Sequence, residues 1–155
     1  MSKTVSILGS TGSVGQNALD VIRKLGSEDF KITSLVAGRN YKLLCEQAVE
    51  FKVKAVVIAD ETYFKDVKDI LCNYNIQVLA GTKAIQEVCA LGSDFTIAAI
   101  SGIAGLASIY DSIASGSDII LANKESMICA GNLLLEHVEK YNRKIIPIDS
   151  EHNAI

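Results

Sequence analysis

Val5-Ser6-Ile7-Leu8-Gly9-Ser10-Thr11-Gly12-Ser13-Val14-Gly15 is the stretch on which the fold of this chain turns. Its first four residues read as a buried strand. After the glycines, Val14, Ala18, Leu19, Val21, Ile22 and Leu25 fall on one face of a helix predicted over 14–25. A strand, a tight glycine turn and an amphipathic helix make the opening of a β-α-β unit. The same alternation runs on through the sequence. Strands are predicted at 5–8, 32–37, 55–59, 77–80, 95–100, 119–122 and 144–148, and helices at 14–25, 41–51, 61–73, 82–91, 105–115 and 125–141. Strands joined through a helix run parallel, and continuously apolar ones such as Ile97-Ala98-Ala99-Ile100 belong to a sheet covered on both faces. The expected fold is therefore α/β, a doubly wound, Rossmann-like parallel sheet of about seven strands with helices on both faces. Pro147, the one proline, falls at the end of the last strand, where a missing N–H costs least.

Composition narrows the function classes. The chain has 155 residues, 49% hydrophobic and 21% charged, which is too apolar for a disordered protein. Fifteen basic against eighteen acidic residues give a net charge of -3, without the basic face that nucleic acid requires. The apolar runs are far shorter than the roughly 20 residues of a bilayer span. The N-terminus carries no pattern of an export or organelle signal, so the expectation is a cytoplasmic protein with no membrane partner. Cys45, Cys72, Cys89 and Cys129 are scattered, form no C-x-x-C, and read as reduced core thiols.

In doubly wound sheets ligands bind beyond the carboxyl ends of the strands, where the strand order reverses. The segments to read are thus 9–15, 38–40, 101–105, 123–126 and 149–153. The first has the pattern G-x-x-G-x-x-G. Gly9 supplies the freedom for the turn, Gly12 lets backbone N–H groups approach a pyrophosphate, and Gly15 lets the helix pack closely on the strand. Thr11 and Ser13 add hydroxyl donors, Val14 opens the helix, and the helix N-terminus attracts an anion. No G-K-[S/T] follows, which excludes a P-loop. An NAD site would carry Asp or Glu after the second strand, but the sequence there is Gly38-Arg39-Asn40. A guanidinium can pair with a 2′-phosphate, which predicts NADPH as the dinucleotide.

Two later segments each allow two readings. Asn123-Lys124-Glu125-Ser126 is either a helix start, with Asn as cap and Glu complementing the dipole, or a site where Lys124 meets an anionic substrate and Asn123 and Glu125 line the cofactor. Asp149-Ser150-Glu151-His152-Asn153 is either a polar capping loop or a carboxylate pair. In an extended segment Asp149 and Glu151 share a side, and two carboxylates together suit Mg²⁺ or Mn²⁺.

Taken together, 7–15, 35–40, 121–126 and 147–155 resemble the 1-deoxy-D-xylulose 5-phosphate reductoisomerase family, an NADPH-dependent enzyme of non-mevalonate isoprenoid synthesis. The resemblance implies cofactor contacts from Thr11, Gly12, Ser13, Val14, Gly38, Arg39, Asn40, Asn123 and Glu125. It implies sugar-phosphate contacts from Lys124, Ser150 and Glu151, with Lys124 and Glu151 in the catalytic site and Asp149 and Glu151 on the divalent metal. It further implies a homodimer as the full-length protein. Family members are much longer, so residues 1–148 are expected to be the NADPH-binding domain and 149–155 the start of the metal and substrate region. On this reading the chain alone binds NADPH without turning over the sugar phosphate. Two rivals are another NADP-dependent dehydrogenase and a non-catalytic dinucleotide-binding module. A semialdehyde dehydrogenase needs a reactive cysteine at a strand end, and none of the four lies in a crevice segment.

Overall fold

The computed structural model describes residues 1–101, 105–122 and 124–148. Within them the chain alternates as expected: β1 (Lys3–Leu8), α1 (Ser13–Leu25), β2 (Phe30–Ala37), α2 (Tyr41–Phe51), β3 (Ala55–Ile58), a 3-10 turn (Glu61–Tyr63), α3 (Phe64–Ile70), β4 (Gln77–Ala80), α4 (Thr82–Ala90), β5 (Phe95–Ala98), α5 (Leu106–Ala114), β6 (Asp118–Leu121), α6 (Lys124–Lys140) and β7 (Ile145–Pro147). All seven strands are parallel in the order β4-β3-β2-β1-β5-β6-β7. The fold is the doubly wound sheet the alternation predicts. From β1 the chain builds outward to β4, then returns to lay β5 against the other side of β1. The topological switch point is therefore the crevice between the carboxyl ends of β1 and β5.

The two faces are packed by different helices. Val5, Ile7, Leu35, Val56 and Ile58 meet Leu19 and Ile22 of α1, Leu44 and Ala48 of α2, and Val67 of α3. On the other face Leu8, Val36 and Val57 meet Ile85 and Val88 of α4, while Ala98, Ile119 and Leu121 meet Ile109 and Ile113 of α5 and Leu134 and Val138 of α6. Period-2 alternation along each strand sends successive side chains to opposite layers, so the carboxyl-terminal ends of β1 and β2 and all of β3 are apolar on both faces.

Several expectations shift. Val21 and Leu25 are 55% and 52% exposed, because the buried line of α1 runs through Gly15, Leu19 and Ile22 and leaves them on its flank. The strand expected to reach residue 100 stops at Ala98: Ala99 N–H still donates to Leu8 O at 2.8 Å, but Gly9 then turns β1 away and ends the ladder. The helix expected over 61–73 is a 3-10 turn followed by seven residues of α3, ending where Asn73 and Asn75 bring turn chemistry. α6 contains a non-helical residue, Ala130, immediately before the poor helix former Gly131. Of the four free cysteines only Cys45 and Cys89 are buried; Cys72 and Cys129 are exposed. Pro147 does lie in the edge strand, opposite Leu121. No helix among the described residues is long and apolar enough to cross a membrane.

Candidate functional site

The glycine turn is built by three different requirements. At Gly9 φ is +91°, and a Cβ would stand 2.6 Å from the carbonyl oxygen of Ala99. That contact exists because β1 and β5 are neighbours, so Gly9 closes the floor of the switch point. At Gly15 a Cβ would stand 2.2 Å from Gly9 O and 2.6 Å from Ser10 Cα, which fixes α1 directly on the turn. Gly12 is unlike both. Its φ of -77° and ψ of 174° are open to any residue, and the nearest atom to a Cβ would be 3.6 Å away. Nothing within the fold asks for glycine there. As N-cap of α1 it offers no side chain to the N–H groups of the first turn, which leaves that end of the helix dipole to an external acceptor.

Gly12, Ser13 and Val14 form one wall of a cleft of about 280 Å³ whose other walls are Ala99, Ile100, Ser101, Ala122, Lys124 and Glu125. The carboxyl ends of β1, β5 and β6 thus converge, and Lys124 and Glu125 enter the site as the first two residues of α6. Thr11 is half-buried, and its carbonyl accepts from Gln16 Nε2 at 2.8 Å, tying the turn to α1.

The end of β2 forms a second part of the site. Gly38 has open space where a Cβ would stand. Arg39 is 78% exposed, with Nε 3.3 Å from Asp60 Oδ2. Asn40 caps α2 by accepting from Leu43 N–H at 3.3 Å, so its Nδ2 is the donor a ligand can address. Asp60 follows β3 and caps the 3-10 turn, accepting from Thr62 N–H at 3.0 Å. Bonds from Thr62, with a smaller contribution from Arg39, hold its carboxyl below the usual range.

The structure therefore brings together Gly9, Thr11, Gly12, Ser13, Val14, Gly15, Lys124 and Glu125, with Gly38, Arg39 and Asn40 at the end of the adjoining strand. Asn123, Asp149, Ser150 and Glu151 lie outside the described residues, and so do the metal site and the region expected beyond residue 148. Among the described residues no group of three or more His, Cys, Asp or Glu side chains could hold a metal. Sequence reasoning did not single out Asp60, whose signal was an Asp-x-Thr capping pattern after an apolar strand, nor Ala99 and Ala122, which act through backbone position. A larger cavity of about 620 Å³ lies between α2 and the end of α3, away from the turn; its Cys45 thiol is pushed up to about 11 by burial, which makes it a poor nucleophile.

The open Gly12 and Gly38, the uncapped start of α1 and the exposed guanidinium fit a dinucleotide with a phosphorylated ribose. Comparison with known proteins points the same way. The sequence signature of 1-deoxy-D-xylulose 5-phosphate reductoisomerase matches residues 5–131. The enzyme of that name from Allorhizobium ampelinum is 46% identical over 154 residues, 99% of this chain and 39% of its own length. The solved structure of the Zymomonas mobilis reductoisomerase in complex with NADPH superposes with a TM-score of 0.94 at 39% identity, over 100% of this chain and 41% of that one. A crystal structure of DOX-P reductoisomerase in complex with NADPH, fosmidomycin and magnesium superposes at 0.90 with 32% identity, over 98% of this chain and 38% of that one. The chain spans about two fifths of the length of these relatives.

Proposed function

Since the chain belongs to the 1-deoxy-D-xylulose 5-phosphate reductoisomerase family, we propose that its described residues are the NADPH-binding part of an enzyme that rearranges and reduces that sugar phosphate to 2-C-methyl-D-erythritol 4-phosphate. The observation that carries the reading is the cleft at the switch point, with a glycine kept free of a side chain for no internal reason on one wall and Lys124 on the other. NADPH supplies the hydride when bound, and a divalent cation supplies Lewis-acid polarisation of a substrate carbonyl.

The chain's own residues divide the work. Backbone N–H groups at Gly12, Ser13 and Val14 bind the pyrophosphate through the start of α1. Arg39, with Gly38 and Asn40, binds the 2′-phosphate. Ala99, Ile100 and Ala122 exclude water from the floor between β1, β5 and β6, which strengthens the electrostatics above them. Lys124 orients the anionic substrate, and Asn123 and Glu125 hold the cofactor beside it. For Asp149, Ser150 and Glu151 the proposal rests on sequence and family: two carboxylates supply hard oxygen ligands for Mg²⁺ or Mn²⁺, and Ser150 binds substrate. A homodimer in the cytoplasm, as the family resemblance implies for the full-length protein, completes the reading.

Arg39→Asp tests the cofactor choice. Titration calorimetry is expected to give NADPH binding weaker by more than about 1.5 kcal/mol, the scale of a charge-assisted hydrogen bond, with NADH binding unchanged or improved. Equal weakening of both cofactors contradicts a 2′-phosphate role.

A further inference from the structure

Arg39 stands at the end of β2 with most of its side chain in solvent, where a long flexible cation ordinarily samples many rotamers. Here the residues after β3 hold it from behind. Asp60 N–H donates to Gly38 O at 3.0 Å, and Tyr41 N–H donates to Arg39 O at 2.8 Å. The rings of Tyr41 and Tyr63 stack at 5.0 Å between centroids, which joins the first residue of α2 to the 3-10 turn. Into this frame Asp60 places its two oxygens on different duties: Oδ1 accepts from Thr62 N–H, and Oδ2 lies 3.3 Å from Arg39 Nε. With Nε facing Asp60 in an ion pair, the donors turned toward a phosphate are the two terminal Nη groups, the pair whose spacing matches two phosphate oxygens.

From this geometry we propose that Asp60 is a positioning residue for cofactor selection: by holding Nε it presents the Nη edge of Arg39 to the ribose 2′-phosphate before the cofactor arrives. The inference rests on the reading of Arg39 given above and goes beyond it, because it assigns the choice between NADPH and NADH to a carboxylate that follows a different strand. Pre-ordering removes part of the cost of fixing the guanidinium on binding. A carboxylate near a phosphate also repels it, so the sign of the effect depends on Arg39. While Arg39 offsets the charge of Asp60, ordering prevails; without Arg39, only repulsion remains. An opposite dependence in the two backgrounds is something a purely structural role for Asp60 does not produce.

The test is a double-mutant cycle on the 155-residue chain, with Kd for NADPH and NADH read by titration calorimetry and folding read by Tm. Asp60→Asn keeps a capping oxygen for Thr62 and loses the charge; Asp60→Ser, which also caps, serves as the second variant if the first does not fold. Asp60→Asn is expected to raise the NADPH Kd about five-fold, to change the NADH Kd less than about two-fold, and to leave Tm near wild type. Arg39→Ala is expected to raise the NADPH Kd at least ten-fold, and Asp60→Asn on top of it to leave NADPH binding unchanged or tighter. Arg39→Ala without effect on NADPH overturns the Arg39 reading and this inference with it. A ten-fold loss in Arg39→Ala together with no loss in Asp60→Asn overturns the inference alone, as does an Asp60→Asn loss that is equal for both cofactors or that persists without Arg39.

Discussion

The two ends of the sheet are finished by opposite means. At the amino end, side chains close the strand starts on one another. Thr4 N–H and Oγ1 donate to Asp94 Oδ2 at 2.8 and 3.0 Å, and Asp94 N–H returns a bond to Thr4 Oγ1 at 2.9 Å, which locks β1 to β5. Ser117 Oγ donates to Ser93 O at 2.7 Å between the starts of β6 and β5, and Lys144 N–H donates to Asp118 Oδ1 at 3.0 Å between β7 and β6. At the carboxyl end β1 runs into Gly9 and Gly12 and β2 into Gly38, beside an α1 start without a side-chain cap and a cleft between β1, β5 and β6. Hydrogen bonds satisfied within the protein stabilise; donors left for something else recognise. The chain gives up local stability at the carboxyl end and holds an open helix start and a cleft ready in return.

The sharpest way to break that contrast is to add a side chain at each of two glycines that lie three residues apart in the same turn but have opposite roles. Gly12→Val is expected to abolish measurable NADPH binding, because the added atoms stand where the pyrophosphate must approach. Its fold is expected to survive with a loss of about 1 kcal/mol from the poorer cap. Gly15→Ala is expected to act through folding instead, costing about 2 kcal/mol or more, since its Cβ would stand 2.2 Å from Gly9 O and the backbone must move. Circular dichroism melts and calorimetric titration of both variants separate the two. Equal losses of stability would merge the roles that the glycine turn keeps apart.

A smaller effect probes the other end. The Asp94 carboxyl is held below its usual range by the backbone and hydroxyl of Thr4. A depressed carboxylate contributes stability that is present above its unfolded pKa of about 4 and lost as pH falls through the lower folded value. Asp94→Asn is therefore expected to lower stability by about 1 kcal/mol or less at pH 7, a figure reduced for exposure, and the gap from wild type is expected to close by about pH 2. NADPH affinity at pH 7 is expected to stay unchanged. A loss of affinity comparable to that of a cleft variant would mean that the two ends are not separable.

Much of this was legible in the sequence because it is local. The glycine spacing after an apolar strand, the missing acid and present Arg39 after the second strand, and the strand-helix alternation all lie within short windows. Strand order does not: that β1 sits between β2 and β5 emerges only from packing, and with it the contact of Gly9 on Ala99 and of Arg39 on Asp60. Asp60 looks from sequence like a capping residue, which it is; its second oxygen finds Arg39 because β3 pairs with β2. Gly12 and Gly15 differ already by their places in the G-x-x-G-x-x-G pattern, and their surroundings supply the measure: a Cβ would meet Gly9 O at 2.2 Å from Gly15 but at 3.6 Å from Gly12. Helical periodicity likewise named a face for α1 that was too wide, since Val21 and Leu25 stay more than half exposed.

The central claim is that the carboxyl end of β1, β2, β5 and β6 is the NADPH site and the amino end is structural. Amide chemical-shift mapping on the 16.6 kDa chain during NADPH titration addresses it directly. The expected result is saturable shifts at Gly12, Ser13, Val14, Gly38, Arg39, Lys124 and Glu125, with Thr4, Ser93, Asp94 and Asp118 unmoved. Shifts concentrated at the amino end, or on Lys42, Glu46 and Tyr74 around the larger cavity, would contradict it.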